Sequence, residues 1–554
     1  MDSGFPWNFT ILALLVPVIF LLLLKKRKNS KPSSAKLPPG PQELPIIGHL
    51  HLISSVPFRS FRDLAKKYGP IMHLKFGEVP GIIISSPEIA KKVLKEQDPV
   101  FANRPPAIAM QIMGYNYKDI GFSPYGDYWR QMRKICIMEL LSSKSVRSFG
   151  SIRNDEVSSL VKFIQASAGK PVNLTDKIFW MMNSITCRAS FGTVCKDNDA
   201  LIKLLRDGMQ MAGGFEIADV FPSSKIVSAL SWTKWRLVMM GRKLDMILDD
   251  IINEHKVNLD KLARESGDGQ GKLDLSAGRR GNGEFGNEDL VDVFLRLKES
   301  GDLEFPIGND NIKAILFVST LQSSDVFSAA TETSATAIDW IMTELMRNPG
   351  VMAKAQAEVR QVFNGSRTTS INEDNVRKLN YLKLVIRETL RLHPSVPFLP
   401  RASREECTIN GYTIPANVKV LVNSWGMQRD PKYWTNPESF EPERFENNSM
   451  DFVGGDFEYL PFGSGRRMCP GITFALASIE LPLAQLLYNF NWKLPEGVKP
   501  ENLDMIENPG LTASRKSKLY VVPTPYNEPS DSSLPTLTLT DLQTFGSSRV
   551  STSL

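Results

Sequence analysis

Ten consecutive residues, Phe462-Gly463-Ser464-Gly465-Arg466-Arg467-Met468-Cys469-Pro470-Gly471, restrict what this chain can become more than any other segment. Two glycines and a serine permit a tight loop that approaches a flat ligand closely. Arg467, two residues before the cysteine, can pair with an anionic group of such a ligand. A helical run, Ile472 to Tyr488, begins directly after Gly471, so Cys469 lies just ahead of a helix N-terminus. Partial positive charge and exposed N–H donors at that end favour the thiolate and tune its electron donation. On these residues alone two readings stay open: a ligating thiolate, or an inert cysteine behind a glycine turn.

The other cysteines (Cys136, Cys187, Cys195 and Cys407) are widely spaced and bring the total to the odd number of 5. They offer no disulfide framework and no CxxC metal pair, which suits a reducing compartment. Hydrophobic residues at 42% and charged residues at 23% are a globular composition. The formal net charge of +6 is small for 554 residues, and part of it sits in Lys25-Lys26-Arg27-Lys28. That is not a nucleic-acid footprint, so no nucleic-acid partner is expected.

Residues Phe5 to Leu24 are almost wholly apolar, and a helix of about 20 residues spans roughly 30 Å, one hydrocarbon core. Asp2 is the only charged side chain before this run, and four basic residues follow it. That order fits a retained anchor better than a cleaved signal peptide, and it keeps the rest of the chain cytosolic. Leu37-Pro38-Pro39-Gly40-Pro41 and Pro45 read as a stiff spacer or as a structureless linker. The expected organisation is an anchor at 1–24, a basic and proline-rich hinge at 25–45, one large domain at 46–524 and a disordered tail at 525–554.

Helical periodicity dominates that domain, as in Glu156 to Ile164, Leu237 to Ile252 and Trp340 to Phe363. Strands are expected at Ile71–Phe76, Gly81–Ser85, Cys407–Ile414 and Lys419–Asn423, with a hairpin turn at Asn410-Gly411. Glu265 to Asn287, rich in glycine, serine and charge, reads as an exposed loop.

The ten-residue segment resembles the haem-binding pattern of the cytochrome P450 family, F-x-x-G-x-R-x-C-x-G. Phe462, Gly465, Arg467, Cys469 and Gly471 fill all five specified positions. The resemblance implies that Cys469 ligates the iron of haem b, that Phe462 packs near the sulfur and that Arg467 pairs with a haem propionate. Thiolate ligation pushes electron density onto the iron and favours O–O cleavage. Further motifs follow in family order over nearly all of residues 38 to 523. Glu388-Thr389-Leu390-Arg391 is similar to the E-x-x-R helix, and Pro442-Glu443-Arg444-Phe445 to the later P-E-R-F segment. Together they imply a buried Glu388, Arg391 and Arg444 network; alone, such an acid–base pair is usually a weak surface salt bridge. Trp129 and Arg133 match the W-x-x-x-R helix and, with Arg401, are expected at the propionates.

Ala329-Ala330-Thr331-Glu332-Thr333-Ser334 resembles the family's oxygen-site motif, with Ala330 in place of the usual glycine. Glu332 and Thr333 are the implied proton-delivery pair. Upstream, Val318-Ser319-Thr320-Leu321-Gln322-Ser323-Ser324 looks like an insertion of poor helix formers. Seven extra residues would turn a helix by about 700° and displace its upstream half by about 10.5 Å. A bulge or break, with impaired haem loading, is the expected consequence.

The implied fold is mainly α with a small β-rich subdomain, the haem-thiolate fold. The implied reaction is an O2-dependent hydroxylation of a lipophilic substrate. Electrons would come from NADPH through a flavin-containing, membrane-bound NADPH-cytochrome P450 reductase, because the chain has no dinucleotide fingerprint of its own. Arg466 would belong to a basic docking face for that reductase. The phrases Gly121 to Arg130 and Asp456 to Gly463 are similar to plant microsomal members, nearest the terpenoid-hydroxylating branch. This places the enzyme in the endoplasmic reticulum membrane as a single-pass protein with a cytosolic catalytic domain. Pro106–Asn116 and Gly208–Phe221, apolar and rich in Met or Gly, are expected to line the substrate pocket. The rival readings are phenolic, flavonoid or alkaloid oxidation, a haem-binding variant inactivated by the insertion, a membrane-tethered interaction protein without haem, and a reductase-independent haem-thiolate isomerase or dehydratase. Glu332-Thr333 argues against the last.

Overall fold

The computed structural model describes residues 36–139, 141–195, 198–265, 289–301, 303–318, 328–364 and 373–526. The expected anchor, the loop after Glu265, the insertion beyond Val318 and nearly all of the tail lie outside the described residues.

Helices form most of the structure. α1 (Pro57–Tyr68) opens on a proline, which a first turn tolerates because that N–H has no intrahelical partner anyway. α2 (Asp127–Glu139) and α3 (Gly150–Ala166) precede α4 (Leu174–Phe191), which the Asn173 side chain caps and left-handed Gly192 closes. Then come α5 (Asn198–Met211), the long α6 (Trp232–Glu265), α7 (Leu290–Ser300) and α8 (Asn309–Val318). α9 (Ser328–Arg347), α10 (Pro349–Asn364), α11 (Asn380–Leu392) and α12 (Ile472–Asn489) complete the series.

α4 is buried on almost every face from Ile178 to Phe191, so it lies inside the helical layer rather than on it. It packs on α9, which also contacts α12. Two polar contacts fix the α4–α9 register: Thr175 Oγ1 donates to Asp339 at 2.6 Å, and the Thr331 and Thr186 hydroxyls meet at 3.0 Å. The continuous helix expected over Trp340 to Phe363 is two helices, broken at Asn348. Pro349 has no N–H to donate and its ring obstructs the preceding turn, so it starts α10 instead. Asn348 Nδ2 donates to the Glu344 carbonyl at 2.9 Å across the break.

The strands among the described residues are β1 (Ile71–Phe76), β2 (Val79–Ile84), β3 (Val172–Asn173), β4 (Leu399–Ala402), β5 (Cys407–Ile409), β6 (Tyr412–Ile414), β7 (Lys419–Val422), β8 (Phe490–Lys493) and β9 (Tyr520–Pro525). They build a four-stranded sheet in the order β1-β2-β7-β4, a three-stranded one in the order β3-β9-β8, and the β5-β6 hairpin. Asn410 and Gly411 both have positive φ, 51° and 78°, as a two-residue hairpin turn that follows the strand twist requires. β2 begins two residues before the expected Gly81 and ends at Ile84.

The proline-rich segment from residue 36 runs along β1 of the four-stranded sheet and β6 of the hairpin. Pro39 O accepts from His73 N at 2.9 Å, and Lys36 O accepts from Thr413 N at 2.9 Å. The site lies between the helical core and the sheet's own apolar cluster, which gathers Ile82, Val420, Val422 and Leu399.

Candidate active site

The loop before α12 is set by its glycines. Gly463 and Gly465 both have φ +73°, and a Cβ on Gly465 would lie 2.1 Å from the Leu94 carbonyl oxygen. Neither the conformation nor the space admits a side chain there. The Arg466 amide donates to Asp98 Oδ2 at 2.8 Å, and the Cys469 amide closes the loop on the Phe462 carbonyl at 3.0 Å. Cys469 is half-buried, two residues ahead of Gly471, the N-cap of α12. A Cβ on Gly471 would approach Cys469 Sγ to 3.9 Å. The Phe462 ring is held edge-on by Phe452, with centroids 5.6 Å apart.

Around this loop the fold gathers cations. Arg467 donates to the carbonyls of Ala102 (2.8 Å), Ile120 (3.1 Å) and Ser123 (2.6 Å). Arg401 reaches Ser464 O at 3.2 Å, and Arg133 reaches Met468 O at 2.7 Å. Trp129, expected to turn its indole N–H to a propionate, donates it to Ile120 O at 2.8 Å, and the Arg467 guanidinium lies 4.4 Å from its ring. Arg104 is a fourth arginine that the sequence reading missed: it is buried and donates to Gly121 O at 2.9 Å and to Pro400 O. Nothing in Asn103-Arg104-Pro105 marks it locally; only the tertiary fold brings it here.

Burial first, and then repulsion from Arg401 and Arg467, pull the Arg104 pKa well below the usual arginine value. Burial brings Arg401 down to about 10, with Asp98 working against the shift and Arg133 adding to it. Asp98 and Asp119 are the carboxylates that oppose this repulsion. Arg401 Nε is buried with no hydrogen-bond partner among the described residues. Three buried guanidinium groups, Arg104, Arg401 and Arg467, with half-buried Arg133 beside them, face two carboxylates and leave surplus positive charge, a state that calls for an anion. A flat group carrying two carboxylates, with the cysteine sulfur beside it, fits this donor set.

Glu332 is 3% exposed on α9, and burial raises its pKa to about 7, with Arg206 lowering it and Asp339 raising it. The adjacent Thr333 carbonyl accepts from Ser395 Oγ at 2.9 Å. On α11, Arg391 grips Glu388 with two bonds of 2.8 and 2.9 Å, both side chains fully buried. Arg444 Nε bonds the same carboxylate at 2.9 Å, and Arg391 also ties down the carbonyls of Gln428, Pro437 and Ser439. The two segments expected to line the pocket adjoin. A Cβ on Gly208 would come within 3.1 Å of Met113 Cε, and Asp219 Oδ1 accepts from Ile108 N at 2.7 Å.

A cysteine loop opening a helix, a surplus of buried cations and a helical body with small sheets define the haem-thiolate class. The sequence matches the family profile "Cytochrome P450" over residues 38–521. It is 52% identical over 520 residues to premnaspirodiene oxygenase of Hyoscyamus muticus, covering 94% of this chain and 98% of that protein. It is 51% identical over 522 residues to 5-epiaristolochene 1,3-dihydroxylase of Nicotiana tabacum, with the same coverage. Among solved structures, a zebrafish cytochrome P450 crystallised with abiraterone shares the fold at a TM-score of 0.67 and 22% identity, over 85% of this chain and 100% of that one. The chain belongs to the cytochrome P450 family. It is a haem b monooxygenase that uses O2 and a small lipophilic substrate and takes electrons from a redox partner.

Proposed function

We propose that this enzyme hydroxylates a terpenoid of plant specialised metabolism, with electrons passed from NADPH by the membrane-bound NADPH-cytochrome P450 reductase. What carries the substrate class is that two relatives above half identity, aligned over 98% of their own lengths, are named for oxidising premnaspirodiene and 5-epiaristolochene.

The haem, when bound, supplies the iron at which O2 is activated, and thiolate ligation by Cys469 makes that activation favourable. Gly465 and Gly471 let the loop and the helix start come close to the ring, and Phe462 shields the sulfur. Arg467, Arg401 and Arg133 would hold the propionate edge, with their backbone carbonyl bonds fixing each donor's direction, while Trp129 spends its indole N–H on Ile120 O and lays its ring against the Arg467 guanidinium. Glu332, buried with its pKa near neutrality, both holds and releases a proton at working pH, and Thr333 beside it passes that proton on. Glu388, Arg391 and Arg444 brace the core behind the cysteine loop.

The enzyme acts at the endoplasmic reticulum membrane, with residues 1–24 as anchor, residues 25–45 as hinge and the catalytic domain in the cytosol. Among the described residues no helix is long and apolar enough to cross a membrane. What supports membrane contact is an exposed apolar stretch, Ile226, Leu230, Trp232 and Trp235, interleaved with Lys225, Lys234 and Arg236. Aromatic rings and basic groups mixed in this way suit a lipid–water interface.

The test is a reduced carbon monoxide spectrum of microsomes carrying the chain, followed by turnover with reductase on a panel of terpenes and phenolics. A red-shifted thiolate band, lost in Cys469→Ser, and oxidation of terpenes ahead of phenolics are expected. A Cys469→Ser protein that kept both band and turnover would remove the basis of this assignment.

A further inference from the structure

One five-residue turn, Asp119 to Ser123, aims three of the donors around the cysteine loop. Ile120 O accepts from Trp129 Nε1 at 2.8 Å and from Arg467 Nη1 at 3.1 Å. Gly121 O accepts from Arg104 Nε at 2.9 Å, and Ser123 O accepts from Arg467 Nη2 at 2.6 Å. The turn is closed by its first residue. Asp119 Oδ1 accepts from the Phe122 amide, and the Asp119 carbonyl accepts from Ser123 N at 3.2 Å. The Asp119 side chain is wholly buried, and its charge acts on Arg467 and Arg104.

We propose that Asp119 is a positioning residue of the haem site: its carboxylate sets the turn that aims Arg104, Arg467 and Trp129, and its buried negative charge tunes the potential at the propionate edge. This rests on the haem-thiolate assignment above. The two roles are chemically separable. An asparagine keeps the size and an acceptor oxygen for the Phe122 amide but removes the charge. An alanine removes both. A charge held away from water acts strongly over several ångströms, so its loss reaches the iron, whereas a purely structural role leaves the potential where it was. At pH 8 the charge is in place, since burial pushes the Asp119 carboxyl up to about 7.

The experiment compares the wild-type full chain with Asp119→Asn and Asp119→Ala in microsomes, reading haem per polypeptide, the reduced carbon monoxide band and the haem reduction potential at pH 8. D119N is expected to load haem as the wild type does, keep the thiolate band and show a more positive potential, because a nearby negative charge no longer opposes reduction. D119A is expected to lose haem several-fold. An unchanged potential in D119N, full loading in D119A, or D119N losing haem as completely as D119A each overturns the proposal. The wild-type band, recorded alongside, separates a failure of the haem-thiolate assignment from a failure of this one.

Discussion

At position 465 the backbone chooses the residue. A φ of +73° and a carbonyl oxygen 2.1 Å from where a Cβ would sit leave glycine alone. The sequence already pointed there, because glycines flanking an arginine and a cysteine ask for a loop of this kind. Arg104 and Asp119 were not legible, since neither sits in a local pattern; each acquires meaning from residues hundreds of positions away, such as Pro400 and Arg467. Glu332 was legible as a residue but not as a titrating group. Burial raises its pKa from 4.5 to about 7, so between those values the folded protein holds more protons than the unfolded chain. Its contribution therefore weakens stability as pH rises through that window and stays unfavourable above it. Glu332→Gln is expected to gain stability relative to wild type between pH 5 and pH 8, by up to about 3 kcal/mol, while turnover falls. Denaturant unfolding at the two pH values measures the first effect, and an unchanged difference would show that Glu332 is already ionised when folded.

Turns and helix starts carried the clearest sequence signals among the elements. Asn410-Gly411 gave its hairpin because both central positions need positive φ, and glycine and asparagine tolerate it best. Pro349 was overlooked because apolar periodicity continues through it, yet backbone chemistry ends the helix there. No sequence signal marks Tyr115, Asn116 and Tyr117, three consecutive residues with φ of 49°, 58° and 62°. A left-handed run of this kind costs roughly 1–2 kcal/mol per residue, and tertiary bonds hold it, including Tyr115 Oη to Asp245 at 2.7 Å. Lys313 on α8 bonds the same Asp245 and also Asp249, each at 2.7 Å, so α8 is docked on α6 just before the insertion. A chain lacking residues 318–324 is expected to carry more haem per polypeptide than the full chain. Equal haem content and equal turnover would show the insertion to be harmless.

For the whole molecule, the surface bearing Leu230, Trp232 and Trp235 is expected to contribute to membrane binding independently of residues 1–24. Each large apolar side chain taken out of water contributes about 1.5–3 kcal/mol. Replacing all three by serine in a chain lacking residues 1–24 is then expected to weaken binding to anionic liposomes at least tenfold, with circular dichroism unchanged; sedimentation with the vesicles measures it, and equal binding would remove this surface from the interface. The sequence by itself determined the helical class, the tight glycine loop before Cys469 and the hairpin, because each follows from backbone geometry or apolar spacing within a few residues, whereas the ligating role of Cys469 and the buried Glu388, Arg391 and Arg444 network came from the family resemblance. Only the tertiary structure decided that Arg104 joins Arg467, Arg401 and Arg133, the turn that aims Arg104 and Arg467, the left-handed run at 115–117 and the contact between the two pocket segments. Those arise where distant stretches are buried together, and burial is what gives a charge, a carbonyl or a strained angle its energy.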